Sequence, residues 1–308
     1  MALNEKIGEN EKFIELLKLL NLRLNEFTSE QKVARYKYSY VYKEHIRFKF
    51  FGSYSRELGG SVHSLELTGQ GCREIEELGV EWITLFKYIY YNNIKATRID
   101  IAMDVKEEMP FKLTDLVVKT MNFEYTSRTR KYGIHMGGEK SSETYTGTSL
   151  YYGTIGNDVL NIYDKKAERL AKNYISNIQY WTRFEIRLSD KKTGSFLKVI
   201  IDNGIDTLPT VYRGLLNEFV CYRVRGKSKD PRKHRWEGWE KWEELIGKLE
   251  GLKLEHQSKV ESTIISKMDW HENSLSQSDL VIYASAPNKN IYFNVTLMLI
   301  KLNNLAIK

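Results

Sequence analysis

The sequence has few of the residues that build disulfide frameworks, zinc sites or proline-rich linkers. It contains two cysteines, Cys72 and Cys221, and four prolines. Two cysteines are too few for a disulfide framework or a four-cysteine zinc site, and so low a number is typical of a reducing compartment. The six histidines show no His-x-His or HExxH spacing, so a metal site built on paired histidines is not expected.

Long apolar stretches are also missing. Even the apolar tail at 291–308 is interrupted by Asn294, Thr296 and Lys301, whereas a membrane-spanning helix needs about 18 or more apolar residues in a row. The segment 1–10 is polar and acidic and lacks the apolar centre of a signal peptide. We therefore expect a cytoplasmic protein that does not interact with a membrane.

The composition is otherwise that of an ordinary folded protein, with 42% hydrophobic and 28% charged residues. Its 308 residues suggest two domains, since a typical domain holds about 150. The 47 Lys and Arg against 40 Asp and Glu give a formal net charge of +7. Most of this excess lies in the segment 222–235, where seven basic residues and one Asp leave +6.

Hydrophobic periodicity predicts strands and helices that alternate irregularly along the chain. We expect helices at 7–23, 72–91, 112–121 and 164–173, and more helices after residue 188. Strands are expected within 36–68 and at 96–105, 149–153, 159–163 and 181–188, with at most two in 125–147 and a short apolar tail at the end.

This order predicts an α+β fold with mainly antiparallel sheets packed by helices. Two strand–helix halves, at about 36–121 and 149–205, could be copies of one motif. The C-terminal region is expected to be helical and basic. We place a domain boundary between 211 and 227, which divides the chain into 1–215 and 216–308.

Acidic side chains occur inside the predicted strands, where they are disfavoured. In the strand 96–105, Arg98, Asp100 and Asp104 share the face opposite the apolar residues. They could form a solvated face with a surface ion pair, or a site on the open side of the sheet. Four strand residues separate the Asp100 and Asp104 Cα atoms by roughly 13 Å, so Asp100 is the better metal-ligand candidate and Asp104 the less secure one.

Glu185 lies on another predicted strand, between Arg183 and Arg187, which share its face. The three side chains could simply be charge-paired. They are equally typical of a carboxylate-bound Mg²⁺ or Mn²⁺ site beside phosphate-binding arginines, because hard cations prefer oxygen ligands. Glu66, in the strand segment SLELTG, is a weaker metal-ligand candidate.

Tyr163 differs from most of the 20 tyrosines in its position. It ends a predicted strand, and Lys165 and Lys166 follow it at the start of a helix. Most of the other tyrosines are expected to be packing residues. This junction singles Tyr163 out, and Lys165 and Lys166 are candidate cations beside it, because a nearby cation favours the ionised form of a phenol.

The basic segment 222–235 predicts contact with nucleic-acid phosphates, although a solvated loop would also explain it. Trp236, Trp239 and Trp242 follow at every third position. This spacing is typical first of a helix-packing face and only second of a base-stacking surface. The candidate DNA-binding residues of the segment are Arg223, Arg225, Lys227, Lys229, Arg232, Lys233 and Arg235.

Four segments carry a resemblance to a known family. They are HSLELTGQGCREIE at 63–76, TRIDIAMDV at 97–105, SLYYGTIGNDVLNIYDKKAE at 149–168 and RFEIRL at 183–188. In this order, over about 36–205, they resemble the successive motifs of the Rep_trans or replication initiation factor family. The family comprises rolling-circle plasmid initiators and related relaxases of Gram-positive bacteria and their mobile elements.

The resemblance implies a nicking-closing domain at 1–215 and a DNA-recognition region at 216–308. It implies that Tyr163 attacks one strand at a replication origin and forms a 5′-phosphotyrosine. The divalent metal, Mg²⁺ or Mn²⁺, would be held by Asp100 and Glu185, with Asp104 as a less certain ligand. From their positions beside these carboxylates, Arg98, Arg183 and Arg187 are candidate DNA contacts.

The partners that the resemblance implies are double-stranded origin DNA, the nicked single strand, a host helicase and a second copy of the chain. Two other functions stay open on the residues alone. The chain could be a DNA-binding protein without chemistry, in which Asp100 and Glu185 only pair with neighbouring arginines. It could also be a carboxylate hydrolase with another substrate, against which the basic segment argues.

Overall fold

A computed structural model describes residues 11–30, 36–50, 54–55, 60–140, 144–154, 156–172, 177–226, 231–248 and 292–302. The chain forms two compact units. The first contains Met1–Ile99, Asp190–Asp202 and His256–Leu299, and the second contains Asp100–Ser189, Asn203–Glu255 and Ile300–Lys308. The boundary predicted after residue 215 falls within the second unit, and the division into 1–215 and 216–308 stays a prediction.

Helices and strands alternate irregularly, and the fold is α+β with mainly antiparallel strands, as predicted. None of the described helices is both long and apolar enough to cross a membrane. The helices are α1 (Glu11–Leu19), α2 (Gly69–Glu77), α3 (Trp82–Tyr91), α4 (Leu113–Met121), α5 (Lys165–Ala171), α6 (Lys191–Asn203), α7 (Leu208–Phe219) and α8 (Glu240–Lys248). The strands are β1 (Thr28–Glu30), β2 (Tyr38–Tyr42), β3 (Ile46–Phe50), β4 (Tyr54–Ser55), β5 (Gly60–Leu67), β6 (Lys95–Val105), β7 (Tyr125–Thr126), β8 (Tyr132–Glu139), β9 (Thr144–Gly153), β10 (Val159–Asp164), β11 (Thr182–Ser189), β12 (Cys221–Tyr222) and β13 (Tyr292–Leu302).

The first unit contains a sheet in the order β1-β2-β3-β5-β13. Its neighbouring strands are antiparallel except for β13, which runs parallel to β5. The aromatic residues of β3 form a core with helix α1, where the Phe13 ring lies 4.7 Å from Phe48 and 5.1 Å from Phe50. The tail at 291–308, predicted only to be apolar, therefore supplies a strand.

The prediction of one continuous helix at 72–91 is wrong, because the segment forms α2 and α3. Helix α2 ends at Glu77, and Gly79 follows with φ = +80°, a left-handed conformation that glycine adopts without strain. The Val80 N–H donates to the Ile75 carbonyl at 2.9 Å, which closes the helix end. The N-terminal helix, predicted at 7–23, is described from Glu11 and ends at Leu19, before the predicted end; residues 7–10 lie outside the described residues.

The second unit contains a sheet in the order β6-β11-β10-β9-β8, with a separate antiparallel pair of β7 and β12. Helices cover one face of this sheet. The Tyr212 hydroxyl of α7 donates to the Phe184 carbonyl at 2.8 Å, and the ring of Trp242 on α8 lies 6.2 Å from Phe184. The polar residues of the predicted site lie on the opposite face.

Both units contain three antiparallel neighbours that precede a helix, whereas the prediction that 36–121 and 149–205 are copies of one motif stays a prediction. In the first, the antiparallel neighbours β2, β3 and β5 precede helix α2. In the second, the antiparallel neighbours β8, β9 and β10 precede helix α5. In the region predicted to be helical and basic, α8 is a helix, 249–291 lie outside the described residues, and 292–302 form strand β13 rather than a helix.

Candidate active site

One face of the second unit's sheet brings together the polar residues of two strands. The neighbours of Asn161 in β10 are buried in the core, whereas Asn161 and Tyr163 lie on the other face and are half-buried. The antiparallel register places Tyr163 opposite Arg183 and Asn161 opposite Glu185 on β11. Directly opposed residues share a face, with Cβ atoms about 5 Å apart, so these four side chains form one cluster.

The Tyr163 hydroxyl donates a hydrogen bond to Oε2 of Glu185, with 3.2 Å between the two oxygens. Burial and the charge of Glu185 raise the pKa of Tyr163 above its usual value. Burial also raises the pKa of Glu185, and the nearby charge of Asp100 raises it further. Two titratable groups with perturbed pKa values in direct contact are typical of a functional site.

Asp100 is the second acidic group of the cluster and is 1% exposed. Arg187 donates to it from Nε at 3.3 Å and from Nη2 at 3.3 Å. The residues that share its face on β6, Ala102 and Asp104, are buried as well. The interpretation of this strand as a solvated face with a surface ion pair is therefore wrong for Asp100, Ala102 and Asp104, whereas Arg98 is half-buried.

Arg183 and Asp104 form a buried ion pair beside Tyr163. The Nε and Nη2 atoms of Arg183 donate to the two carboxylate oxygens of Asp104 at 2.6 and 2.7 Å. Arg183 is 2% exposed, so a phosphate cannot reach its guanidinium in this arrangement. Its contacts place Arg183 with Asp104, and its role as a DNA contact stays a prediction without support from these contacts. The metal-ligand role of Asp104 stays a prediction.

The two candidate lysines after Tyr163 point in different directions. The Lys165 Nζ atom lies 5.6 Å from the centre of the Tyr163 ring and also pairs with Glu168. Burial lowers the pKa of Lys165. The Lys166 Nζ atom donates to the Gln179 carbonyl at 3.1 Å. Lys165 is therefore the lysine beside the phenol, and a role for Lys166 at Tyr163 gains no support.

The oxygen donors of the cluster fit a divalent metal. Asp100 and Glu185 lie close enough for the charge of one to raise the pKa of the other, and a bound cation would relieve this repulsion. The Oδ1 atom of Asn161, opposite Glu185, is buried without a hydrogen-bond partner. Mg²⁺ is usually held by one or two carboxylates, with waters and phosphate oxygens completing its shell.

The described residues do not supply a set of three acidic ligands for a metal ion. Within the described part of the chain, no three His, Cys, Asp or Glu side chains form a metal-binding group. A metal at this site would therefore depend on Asp100, Glu185, the Asn161 amide and oxygens from outside the protein. Asn161 escaped the sequence analysis because an amide in a strand is a weak signal. Its position two residues before Tyr163, on the same face, could have identified it.

Two other predicted site residues belong to the first unit. Glu66 accepts a hydrogen bond from Lys49 at 2.5 Å and lies opposite Arg47, which pairs with Glu30. Glu66 is thus part of a cross-strand ladder of ion pairs, and its metal-ligand role stays a prediction without support from its contacts. Arg98 precedes the division between the units within β6 and is half-buried. Its role as a DNA contact also stays a prediction.

The basic segment 222–235 lies in the second unit. Lys227 and Lys229 lie outside the described residues. Arg223 is half-buried, and its backbone carbonyl accepts from Lys119 at 2.9 Å. Roles in DNA binding stay predictions for all of these arginines and lysines. Of the other basic candidates, Arg225, Arg232 and Arg235 are exposed, and Lys233 is half-buried.

The three tryptophans divide between packing and the surface. Trp242 is buried, and its ring lies 4.9 Å from that of Tyr222. The Lys119 Nζ atom lies 4.8 Å from the ring centre of Trp239, which is half-buried. Trp236 is half-buried, and the Arg225 guanidinium lies 6.0 Å from its ring. The helix-packing interpretation therefore holds for Trp242, whereas Trp236 and Trp239 precede helix α8.

Three comparisons with known proteins give concordant matches. The profile of the family described as replication initiation factor matches residues 94–292. The putative DNA relaxase NicK of Bacillus subtilis (strain 168) is 27% identical over 238 residues, which are 74% of this chain and 65% of that protein's length. The solved structure of a rolling circle replication initiator protein from Geobacillus stearothermophilus is similar with a TM-score of 0.68 and 27% identity, covering 79% of this chain and 89% of that one. Since the profile matches well over half of its length, the chain belongs to the replication initiation factor family.

Proposed function

We propose that this chain is a rolling-circle replication initiator that cuts and rejoins one strand of origin DNA through Tyr163. The observation that carries the proposal is the 3.2 Å contact between the Tyr163 hydroxyl and Glu185, beside Asp100 on one sheet face. Family membership supports the proposal. So do the names of two relatives, a putative relaxase and a rolling circle initiator.

Cleavage by a phenol requires the loss of its proton. A tyrosine with a pKa near 10 is ionised to about one part in a thousand at neutral pH, which corresponds to a deficit of roughly 4 kcal/mol. The raised pKa of Tyr163 makes ionisation before the attack harder still. Glu185 accepts the hydrogen bond of the hydroxyl and is therefore positioned to take the proton as the oxygen attacks.

The attack exchanges one phosphate ester for another. A bond forms between the Tyr163 oxygen and the scissile phosphorus, and the bond from phosphorus to the 3′ oxygen breaks. The departing 3′ oxygen takes up a proton and becomes a free hydroxyl. The products are a 5′-phosphotyrosine and a 3′-OH, so the 3′ end can prime synthesis. Because the ester conserves the bond energy, the reverse reaction rejoins the strand without ATP.

Positive charge near Tyr163 would favour this reaction. Lys165 lies beside the phenol ring, and Arg183 is opposite Tyr163 on the neighbouring strand. Asp100 and Glu185, with the Asn161 amide oxygen, would hold the divalent ion, Mg²⁺ or Mn²⁺. Such an ion would stabilise the charge that develops on the non-bridging phosphate oxygens.

We assign binding of the origin to the basic side chains of 222–235. Neutralising about six phosphates would give a slope of roughly −5 for the logarithm of affinity against the logarithm of salt concentration. Double-stranded origin DNA is thus one proposed partner, and the nicked single strand is another. A host helicase and a second copy of the chain are the remaining proposed partners.

The direct test is the formation of a covalent protein–DNA adduct. The protein is incubated with Mg²⁺ and supercoiled DNA that carries its origin, and the mixture is separated in SDS. We expect an SDS-stable adduct that is lost in Tyr163→Phe, whereas DNA binding persists. The matched control is Tyr151→Phe, because Tyr151 lies opposite Asn161 on the same face and should leave the adduct unchanged.

The other outcomes identify the alternatives. Binding without an adduct in the unaltered protein would leave only a DNA-binding protein without chemistry. An adduct that persists in Tyr163→Phe would show that the nucleophile is misassigned. Tyr151 would then be the next candidate. Tyr152 is buried, with its hydroxyl 2.6 Å from Thr120, and Tyr174 lies outside the described residues.

A further inference from the structure

A group of aromatic side chains lies at the surface of the second unit, away from Tyr163. Phe123 is 50% exposed and Tyr132 is 39% exposed, and their ring centres are 6.1 Å apart. The half-buried Tyr125 lies 6.3 Å from Tyr132. The Lys233 Nζ atom lies 5.1 Å from the Phe123 ring and 5.9 Å from the Tyr125 ring. We call these four residues the aromatic platform.

Buried aromatic rings pack against the inner side of the platform. The Tyr125 ring lies 5.3 Å from Tyr152, whose hydroxyl is 2.7 Å from that of Tyr222. Both Tyr152 and Tyr222 are buried. The exposed rings are therefore the outer part of a packed aromatic cluster, and their faces have a fixed position at the surface.

Phe123 is held outward by an unusual backbone conformation. Its φ is +55°, a left-handed conformation that is an outlier for a bulky residue. Strain of this kind persists where the surroundings or a function over-determine it. Here Phe123 follows the end of α4, where the Glu124 N–H donates to the Lys119 carbonyl at 2.8 Å and closes the helix end. This conformation places a large apolar ring in solvent.

The surroundings of the platform are basic. Arg130 and Lys131 are exposed next to Tyr132, and Arg232 and Arg235 are exposed on either side of Lys233. Glu124, which follows Phe123 in the chain, pairs with Lys119 at 2.9 Å. Aromatic faces between cations match a nucleic-acid strand whose bases are unstacked, because the bases stack on the rings while the phosphates contact the cations.

The platform and Tyr163 lie on opposite faces of the sheet. Tyr163 is opposite Ser149, and Ser149 is opposite His135 on β8. Tyr132 is three residues from His135 in the same strand, and alternation places it on the other face. Among the described strands of this sheet, β8 is the outermost. The platform is therefore a separate surface beyond the sheet edge, not a part of the cleavage site.

We propose that the aromatic platform binds single-stranded DNA, as the strand leaves the cleavage site and passes the edge at β8. The identity of the strand as DNA rests on the proposed function, but the binding does not require Tyr163 to be the nucleophile. A duplex is a poorer ligand for the platform, because its bases are stacked on each other and do not present their faces to the rings.

The test measures the fluorescence anisotropy of labelled oligothymidylate and of a labelled duplex, with the full chain carrying Tyr163→Phe so that no cleavage occurs. Phe123→Gly removes the ring and also accepts the left-handed backbone without strain, and Tyr132→Ser removes the second ring. Each should weaken single-strand binding by about 10-fold. Lys233→Gln should lower the salt slope by about 0.7. The matched control is Tyr91→Ser, which removes an exposed tyrosine from the first unit.

Selective loss of single-strand affinity, with duplex affinity unchanged and with thermal unfolding as in the parent, supports the proposal. Unchanged single-strand affinity in Phe123→Gly and Tyr132→Ser would overturn it. An equal loss for duplex, or the same loss in Tyr91→Ser, would also overturn it, because the rings would then not act by stacking. If the cleavage proposal is wrong, the protein with an unaltered platform still binds the single strand but does not form the expected adduct through Tyr163.

Discussion

Arg183 and Asp104, 79 residues apart in sequence, form a two-point ion pair in which the side chains are 2% and 5% exposed. The pair connects β11 to β6 next to Tyr163, which is opposite Arg183 on β10. Because both side chains are desolvated, each depends on the other for compensation of its charge. The ion pair therefore holds β11, the strand that carries Glu185, against β6.

Removing one partner of this pair should strongly destabilise the second unit. Arg183→Met leaves Asp104 buried without its cation, and we expect the free energy of unfolding to fall by about 3–5 kcal/mol in urea titrations. The double variant Arg183→Met/Asp104→Leu should recover much of the loss. The control Lys198→Met breaks an exposed, solvent-screened pair with Asp202 and should leave the free energy of unfolding nearly unchanged. Equal losses in the single and double variants would contradict this account.

Metal binding should stabilise the protein through Glu185 and not through Glu66. A ligand at about 100 times its Kd adds about 2.7 kcal/mol to the stability of the folded state, so Mn²⁺ should raise the Tm. The effect should disappear in Glu185→Gln and persist in Glu66→Gln, because Glu66 is paired with Lys49. Differential scanning fluorimetry with and without Mn²⁺ measures both. A Tm increase that survives in Glu185→Gln would remove Glu185 from the metal site.

The strands that carry the site could be predicted from the sequence. The expected strands 96–105, 159–163 and 181–188 correspond to β6, β10 and β11 within one residue at each end. The reason is physical: apolar residues alternate with polar ones, and only one register buries them. The same alternation placed Asp100 and Glu185 on the face away from the core. Their shared location followed only from the resemblance to a family.

Other features depend on contacts that no local pattern reveals. The face of β6 that carries Asp100 is itself buried, because the periodicity of a strand says which residues share a face but not what covers it. The partner of Arg183 is Asp104, not the neighbouring Glu185, because the pairing crosses from one strand to another. Strand β13 escaped detection since its partner β5 is far away in sequence. Phe123 and Tyr132 were unremarked because surface aromatics have no periodicity.

His63 should make stability depend on pH in the acidic range. Burial lowers its pKa from 6.5 to about 4. Between these pH values His63 binds a proton in the unfolded chain but stays neutral in the folded protein. Its contribution to the free energy of unfolding is therefore fully present above pH 6.5 and is lost as the pH falls towards 4. The loss amounts to about 3 kcal/mol over this window. Urea titrations at pH 7 and pH 4.5 of the parent and of His63→Phe measure it.

In His63→Phe this part of the pH dependence should be absent. The control His135→Phe replaces an exposed histidine and should retain the pH dependence of the parent. An unchanged pH dependence in His63→Phe would show that other groups are responsible for acid destabilisation.

Gly153, at the end of β9, should not tolerate a side chain. Its φ is +121°, and a Cβ atom there would lie 2.4 Å from the Asp158 carbonyl oxygen. Gly153→Ala should therefore lower the free energy of unfolding by about 1–3 kcal/mol. Gly214 lies within α7, where a Cβ would meet no atom within 4 Å, so Gly214→Ala should raise stability by about 0.5–1 kcal/mol. Chemical denaturation distinguishes the two, and equal effects would contradict the geometry.

The central claim is that the phenol of Tyr163 becomes covalently joined to DNA, and the most direct measurement locates that bond. The adduct formed with origin DNA and Mg²⁺ is digested with nuclease and trypsin, and the peptides are sequenced by tandem mass spectrometry. We predict that the residual nucleotide lies on Tyr163, attached through a 5′ phosphate. A nucleotide on Tyr151 or on another residue, or DNA nicked with no modified peptide at all, would contradict the account.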